Sequence, residues 1–315
     1  MKTRTLFLST LAALSQAGAE PSPALAGHDF FYAGENKTQD MYLVRKGEIV
    51  WSWHNPGSRG EISDAVLLSN GSVLFAHQYG VTLIDSAKKV LWNFDAPEGC
   101  EIHTAQPIGR DRLFYLLNGP EPKCVVVNVT TGKTEREFPL QVGNPKSTHG
   151  QFRHARLTAA GTLLVAHMDG GKVSEYDEHG KELWTTPFPG PWSASRLPSG
   201  NTLIASSTLI REVSPDGKTI WECNPADLAG QSIKNFQIAT HLPNGNTLLN
   251  NWVNSWNDTI DPATAPAQAL EITPDKKIVW TLKSWTAPNN LGPATTIQLL
   301  DTPSVPEDVH FGEFH

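Results

Sequence analysis

Past its N-terminus the chain has no apolar run approaching the roughly twenty residues that a membrane-spanning helix needs. Nor does any segment of ten or more residues there carry helical periodicity, which leaves a protein built from strands. Lysine and arginine never gather into a basic tract, and the formal net charge is −7. Nucleic acid and anionic membrane are therefore poor partners. Cysteine is scarce: Cys100, Cys124 and Cys223 lack the close paired spacing of a zinc module. Glycine and proline are plentiful, 25 and 23 among 315 residues, as suits one large β domain made mostly of turns.

A repeating unit accounts for those turns. Leu242-Pro243-Asn244-Gly245-Asn246-Thr247-Leu248 is followed by Ala269-Leu270-Glu271-Ile272-Thr273-Pro274-Asp275-Lys276-Lys277-Ile278-Val279-Trp280. It reads as strand, tight turn, strand, loop, strand, tight turn and a last strand ending in Trp. The same cadence surrounds Gly71, Gly161 and Gly200, and a degenerate copy between Ile108 and Phe138 has Phe where the others have Trp. Thirty-nine residues separate Gly161 from Gly200, forty-five separate Gly200 from Gly245, and ninety, or two units, separate Gly71 from Gly161. Four short strands every forty to forty-five residues predict a β-propeller blade. A lone twisted sheet cannot cover both of its faces, whereas radial stacking covers each with a neighbour.

Complete units fall at 61–94, 101–138, 150–186, 192–223 and 235–282. Residues 28–54 supply only three strands, and 295–300 is a strand left over at the other end. Pairing the two predicts a six-bladed β-propeller closed by a C-terminal strand in the N-terminal blade. Lys2 and Arg4, the apolar stretch from Leu6 to Leu14 and Ala17-Gly18-Ala19 have the form of a secretory signal over 1–19, with a second candidate cleavage site at Ala24-Leu25-Ala26. The expected protein is thus a single propeller domain over 27–315, secreted or periplasmic; cleavage after Ala19 removes Lys2 and Arg4 and takes the charge to −9. In an oxidising compartment a Cys100–Cys124 disulfide is geometrically open, since both precede strands at one end of a blade; three buried thiols are the alternative. Trp53, Trp92, Trp184, Trp221 and Trp280 are expected to pack between blades.

In a propeller the inner-strand starts and the loops between second and third strands crowd around one axial mouth, the usual ligand site. The second-strand ends carry His77, His167, Ser206 and Asn251, with Leu116 in the degenerate unit. The inner-strand starts carry Glu101, His103, Arg153, His154, Trp192 and Gln237, with His149 just before. Histidine moves protons near neutral pH, and arginine offers a fixed fork for an oxyanion. These residues equally suit strand-end hydrogen bonds between blades. A zinc site from His77, His103, His154 and His167 has no local spacing in its favour, and no metal or cofactor is expected. The long loop from Asn250 to Gln268 brings Trp252 and Trp256 to the mouth as a lid, a sugar platform or a plain decoration.

The unit Leu197-Pro198-Ser199-Gly200-Asn201-Thr202-Leu203, with Glu212-Val213-Ser214-Pro215-Asp216-Gly217-Lys218-Thr219-Ile220-Trp221, resembles the blades of the quinoprotein-like (PQQ-like repeat) superfamily. Its cadence is similar to that of the bacterial aryl-sulfate sulfotransferases, which are six-bladed and exported. That resemblance implies a funnel His that takes a sulfuryl group, with His77, His103, His154, His167, Arg153 and Asn251 as candidates for it and for holding the anion. It names no nucleophile, because no catalytic motif matches residue by residue. The extra N-terminal domain common in those enzymes is missing, as is the acidic, metal-assisted site of quinone binders.

Three functions remain open on the sequence. The funnel binds an anionic or carbohydrate-type small ligand, with His77, His167, Asn251, Gln237, Trp192, Glu101, His149 and Trp256 as contacts. Alternatively it is an enzyme, a sulfuryl transferase or an acid–base lyase, using His103, His154 and Arg153. In a third reading the loop around Trp256 is a protein-interaction platform.

Overall fold

The computed structural model describes residues 22–35, 39–55, 60–254 and 260–302. Its strands form six separate four-stranded antiparallel sheets, the blades of a six-bladed β-propeller. The first blade contains β1 (Phe30–Gly34), β2 (Asp40–Arg45) and β3 (Glu48–His54). The second runs through β4 (Asp64–Leu67), β5 (Val73–Ala76), β6 (Gly80–Ile84) and β7 (Val90–Asp95). The degenerate third has β8 (Ala105–Ile108), β9 (Arg112–Leu117), β10 (Lys123–Asn128) and β11 (Lys133–Pro139). The fourth has β12 (Phe152–Leu157), β13 (Leu163–His167), β14 (Lys172–Tyr176) and β15 (Glu182–Pro187). The fifth has β16 (Pro191–Arg196), β17 (Thr202–Ser206), β18 (Ile210–Val213) and β19 (Thr219–Cys223). The sixth has β20 (Phe236–His241), β21 (Thr247–Asn251), β22 (Ala269–Ile272) and β23 (Ile278–Leu282). Then β24 (Ala294–Leu299) returns to the first blade as its inner strand.

The closure has the expected register. Phe30 lies opposite Leu299, Phe31 opposite Gln298 and Tyr32 opposite Ile297, antiparallel. Gln298 then bonds both backbone groups of Leu67 in the second blade, at 2.9 and 3.2 Å. On the other side the Asn250 amide donates to the Thr295 carbonyl at 3.0 Å. The returning strand is therefore tied to both neighbouring blades.

Stacking explains the burial. All five residues of β1 are buried, Phe30, Phe31 and Tyr32 completely, because β1 lies beside the innermost β24 and adjacent blades cover both of its faces. Each such side chain contributes about 1.5–3 kcal/mol of transfer free energy. The outer strands alternate instead between half-buried and exposed positions, as β3 shows.

Tryptophans of the outer strands join blade to blade. Trp184 Nε1 donates to the Pro215 carbonyl at 2.8 Å and Trp221 Nε1 to that of Pro274 at 2.9 Å, each in a turn of the next blade. Trp280 Nε1 reaches Ala26 O at 2.9 Å, which carries the pattern across the ring closure. In the first blade this position belongs to Trp51, whose Nε1 lies 3.2 Å from Ser86 O. Trp53, two residues on, packs instead on Phe75. In the third blade Arg136 has this register and pairs with Glu178 in the turn of the next blade. Phe138, expected there from the sequence, stands two residues on like Trp53, and Gly180 (φ +80°) comes so close that a Cβ would stand 2.5 Å from its ring.

The Cys100–Cys124 disulfide is not formed, and all three cysteines are free thiols. Cys124 packs with Phe138, Phe152 and Val165, between the third and fourth blades. Cys100 packs among Leu83, Trp92 and Phe94, toward the second. The two sulfurs thus serve opposite faces of one blade, which common placement at one end of the strands does not reveal. Burial pushes the thiols of Cys100, Cys124 and Cys223 upward in pKa.

Candidate functional site at the axial mouth

Three consecutive blades build the mouth in one way. Phe152 pairs with His167, Pro191 with Ser206, and Phe236 with Asn251, and in each case the register shifts immediately afterwards. Such a bulge leaves the next residue outside the ladder and re-aims its side chain. Those next residues are Arg153, Trp192 and Gln237, and all three line one cavity.

That cavity measures about 140 Å³ and is lined by Glu35, Glu61, His149, Arg153, Trp192, Gln237, Trp252 and Asn254. The contributors span the first, second, fourth, fifth and sixth blades, with His149 from the segment after the third, so the cavity lies on the ring's axis. Trp192 and Trp252 stand as an aromatic pair, 5.7 Å between centroids and tilted by 49°. The Arg153 guanidinium lies over Trp192, 5.4 Å from its centroid.

Behind the cavity Glu101 joins two imidazoles. Its Oε2 is 2.8 Å from His103 Nε2 and 2.8 Å from His149 Nδ1. On the other side of its ring, His103 Nδ1 is 2.9 Å from Arg153 Nη1 and 2.9 Å from Ser63 Oγ. Nε2 donates to Glu101, while Nδ1 meets both the Arg153 guanidinium and, at 3.1 Å, Glu61 Oε1. His149 donates through Nδ1, leaving its Nε2 as the acceptor. Burial alone would raise Glu101, but hydrogen bonds from His103 and His149, and then their charge, hold its carboxyl well below the usual range. Glu61, 3.0 Å from Arg153 Nη1, is likewise pushed up by burial and pulled further down by contact with His103 and the charge of Arg153.

His154 belongs to a separate buried brace. Asp64 Oδ2 accepts from Thr104 Oγ1 at 2.7 Å, Gln106 Nε2 at 3.1 Å and Arg156 Nη1 at 2.9 Å. Asp64 Oδ1 accepts from Arg156 Nη2 at 3.0 Å and faces His154 Nδ1 at 3.6 Å. This network ties the second, third and fourth blades near the axis. Burial raises Asp64 less than the charge of Arg156 lowers it, so its carboxyl stays well below the ordinary range. Burial also lowers His154.

Of the residues singled out in the sequence, Arg153, Trp192, Gln237, Glu101, His103 and His149 come together. The second-strand ends do not join them. His167 Nε2 bonds Tyr176 at 2.9 Å while its ring meets Phe152 edge-on, and burial lowers its pKa to about 4. His77 bonds Thr82 at 3.1 Å. Asn251 accepts from Lys234 N at 2.6 Å and donates to Ser232 and Ala267 carbonyls, which caps two loops. Trp256 lies outside the described residues. Trp252, expected at the mouth on the long loop, is in the cavity wall. Glu35, Glu61, Ser63 and Asn254 are not among the sequence candidates, although Glu61 precedes β4 much as Glu101 precedes β8, and the same positional rule finds it.

Neither a family model nor a curated protein matches the chain. Solved structures do. A protein of unknown function from Bacteroides caccae is 22% identical, with a TM-score of 0.73, over 86% of this chain and 98% of its own. The likeness is one of fold. A catalytically inactive histidine-to-alanine form of virginiamycin B lyase from Staphylococcus aureus, with quinupristin, is 13% identical, with a TM-score of 0.54, over 81% of this chain and 95% of its own. The WD40 domain of Pan2 from Neurospora crassa is 9% identical, with a TM-score of 0.51, over 82% and 87%. A lyase and a WD40 domain on one fold show that function must be argued from the site. No helix among the described residues is long and apolar enough to cross a membrane.

Proposed function

We propose that the axial mouth binds a small polyhydroxylated ligand of carbohydrate type. One observation carries this reading. Three residues of the cavity wall have buried polar atoms without a hydrogen-bond partner among the described residues: Trp252 Nε1, Arg153 Nε and Gln237 Oε1. Two donors and an acceptor gathered at one cavity suit a ligand rich in hydroxyl groups, which can serve both kinds. Trp192 and Trp252 supply flat apolar faces for a sugar ring beside them. An anion fits less well, because Arg153 already faces Glu61 and Glu35 adds a further carboxyl to the wall. The test is a thermal-shift screen of mono- and oligosaccharides. A hit should lose its shift in Trp192→Ala and Trp252→Ala; a screen without hits, or a shift that survives both substitutions, overturns the reading.

The Glu101–His149 pair favours a second reading, an enzyme. A carboxylate that fixes one ring nitrogen prepares the other for proton transfer. An aryl-sulfate sulfotransferase or an acid–base lyase would work through His149, the imidazole in the cavity wall, rather than through His154, which Asp64 and Arg156 hold away from it. Turnover of aryl sulfates or uronates that His149→Ala abolishes supports this, and turnover unchanged in His149→Ala contradicts it.

The reading includes export. Leu25 is fully buried against Phe30 and Val44, and Ser22 N bonds Gly47 O at 3.0 Å. These contacts favour cleavage after Ala19 over cleavage after Ala26. The N-terminal mass of protein recovered outside the cytoplasm tests this, and a chain beginning at Gly27 contradicts it.

A further inference from the structure

Glu61, His103 and His149 each offer one ligand atom, and the three atoms lie within 4.8 Å of one another. Two imidazole nitrogens and a carboxylate oxygen suit a borderline divalent transition metal. Glu101 supplies a second observation. By accepting from His103 Nε2 and His149 Nδ1, at 2.8 Å in both cases, it leaves the other nitrogen of each ring for a ligand. Metal-binding histidines are oriented in this way. A third observation concerns charge. Arg153 Nη1 sits 2.9 Å from His103 Nδ1 and 3.0 Å from Glu61 Oε1, so these two ligand atoms are already assembled around a cation.

We propose that Glu61, His103 and His149 form a site for a divalent metal of the zinc class, oriented by Glu101, with the Arg153 guanidinium as the built-in cation that the metal displaces. The Arg153 guanidinium is also stacked over the Trp192 ring, and its Nε has no partner among the described residues. Three protein ligands leave a coordination position for an outside oxygen, and Glu61 and His149 both line the cavity. This is not the His77, His103, His154 and His167 grouping weighed from the sequence; of those four only His103 takes part. The metal and the acid–base reading use the same His149 lone pair and exclude each other, whereas carbohydrate binding stands or falls separately.

Titration calorimetry of Zn²⁺ into the chelator-treated full chain tests the proposal, with Co²⁺ absorption reporting the ligand field. One equivalent should bind. His149→Ala, at a half-exposed position (side chain 51% accessible), should leave the fold intact and weaken binding at least about tenfold. Glu101→Gln should weaken it about 10–100-fold, as loss of an orienting carboxylate does. Arg153→Ala should tighten it, because the competing cation is gone. His179→Ala, far out on an exposed turn (side chain 77% accessible), should change nothing. Absence of stoichiometric binding in wild type, equal binding in His149→Ala, or weaker binding in Arg153→Ala would each overturn the proposal. Circular dichroism on every variant separates lost binding from lost folding.

Discussion

Arg153 Nη1 lies 2.9 Å from Nδ1 of the almost fully buried His103. Glu61 Oε1 stands 3.1 Å from the same nitrogen, and the other ring nitrogen reaches Glu101 at 2.8 Å. An arginine from the fourth blade and a carboxylate from the second thus meet at one histidine of the third, which Glu101 links to His149. The same guanidinium is the partner of Glu61 from the second blade.

Removing Arg153 tests its pairing with Glu61. Arg153→Met leaves Glu61 charged without its cation, which costs about 3 kcal/mol at neutral pH for a largely buried pair. The Glu61 carboxyl, pushed up by burial but held down by contact with His103 first and by the charge of Arg153 after it, keeps less of its depression in the variant. A depressed carboxyl contributes stability that is complete above its unfolded value of about 4.3 and is lost as pH falls through its folded value. The gap between variant and wild type in urea unfolding should therefore narrow as pH falls from about 5 toward 3. A gap that is constant or widens contradicts the assignment.

His167 gives the opposite slope. Burial holds it at about 4 in the folded chain against an ordinary 6.5. The unfolded chain binds the proton first, so stability is complete above about pH 6.5 and declines as pH falls toward 4, by about 3 kcal/mol in all. His77 and His154, also lowered by burial, act in the same direction. Urea midpoints measured from pH 7.5 to 4 should fall, and His167→Phe should flatten the fall. Equal slopes in variant and wild type would show that His167 is not held uncharged.

The tryptophan ties make a claim about the ring rather than the mouth. Trp221→Phe keeps most of the ring packing and removes the donor to Pro274 O. The loss should be about 1 kcal/mol, as for one ordinary hydrogen bond, and thermal unfolding reads it. An unchanged melting temperature would mean that the indole nitrogen contributes nothing to blade stacking.

A chain that begins at Gly27 loses the fully buried Leu25 and, with Ala26, the acceptor of Trp280. Relative to a chain beginning at Glu20, it should be less stable by about 2–3 kcal/mol for the leucine alone. Equal chevron or equilibrium unfolding of the two chains contradicts the role given to residues 22–26.

Blade number, strand order and ring closure were legible in the sequence because turn glycines recur at fixed spacing and each unit repeats the same four-strand cadence. Half of the mouth was legible for the same reason: Arg153, Trp192 and Gln237 occupy one register position, just after the first residue of β12, β16 and β20. The other positional rule failed. His77, His167 and Asn251 end second strands, yet their side chains bond Thr82, Tyr176 and nearby loop backbone, because alternation turns them into the blade. Cys100 and Cys124 show a similar limit, since nearness along a blade does not say which face a side chain serves. Trp252 was legible as part of the long loop at the mouth, whereas Asn254, also after β21, lies where no periodicity indicates direction.

If the propeller holds a saccharide, the cavity between Trp192 and Trp252 is where it does so. A crystal soaked with a saccharide from the screen shows this by direct view. The expected result is a sugar ring packed on one of these indoles, with hydroxyl groups on Trp252 Nε1 and Gln237 Oε1. A saccharide bound elsewhere on the ring, with this cavity unchanged, would contradict it.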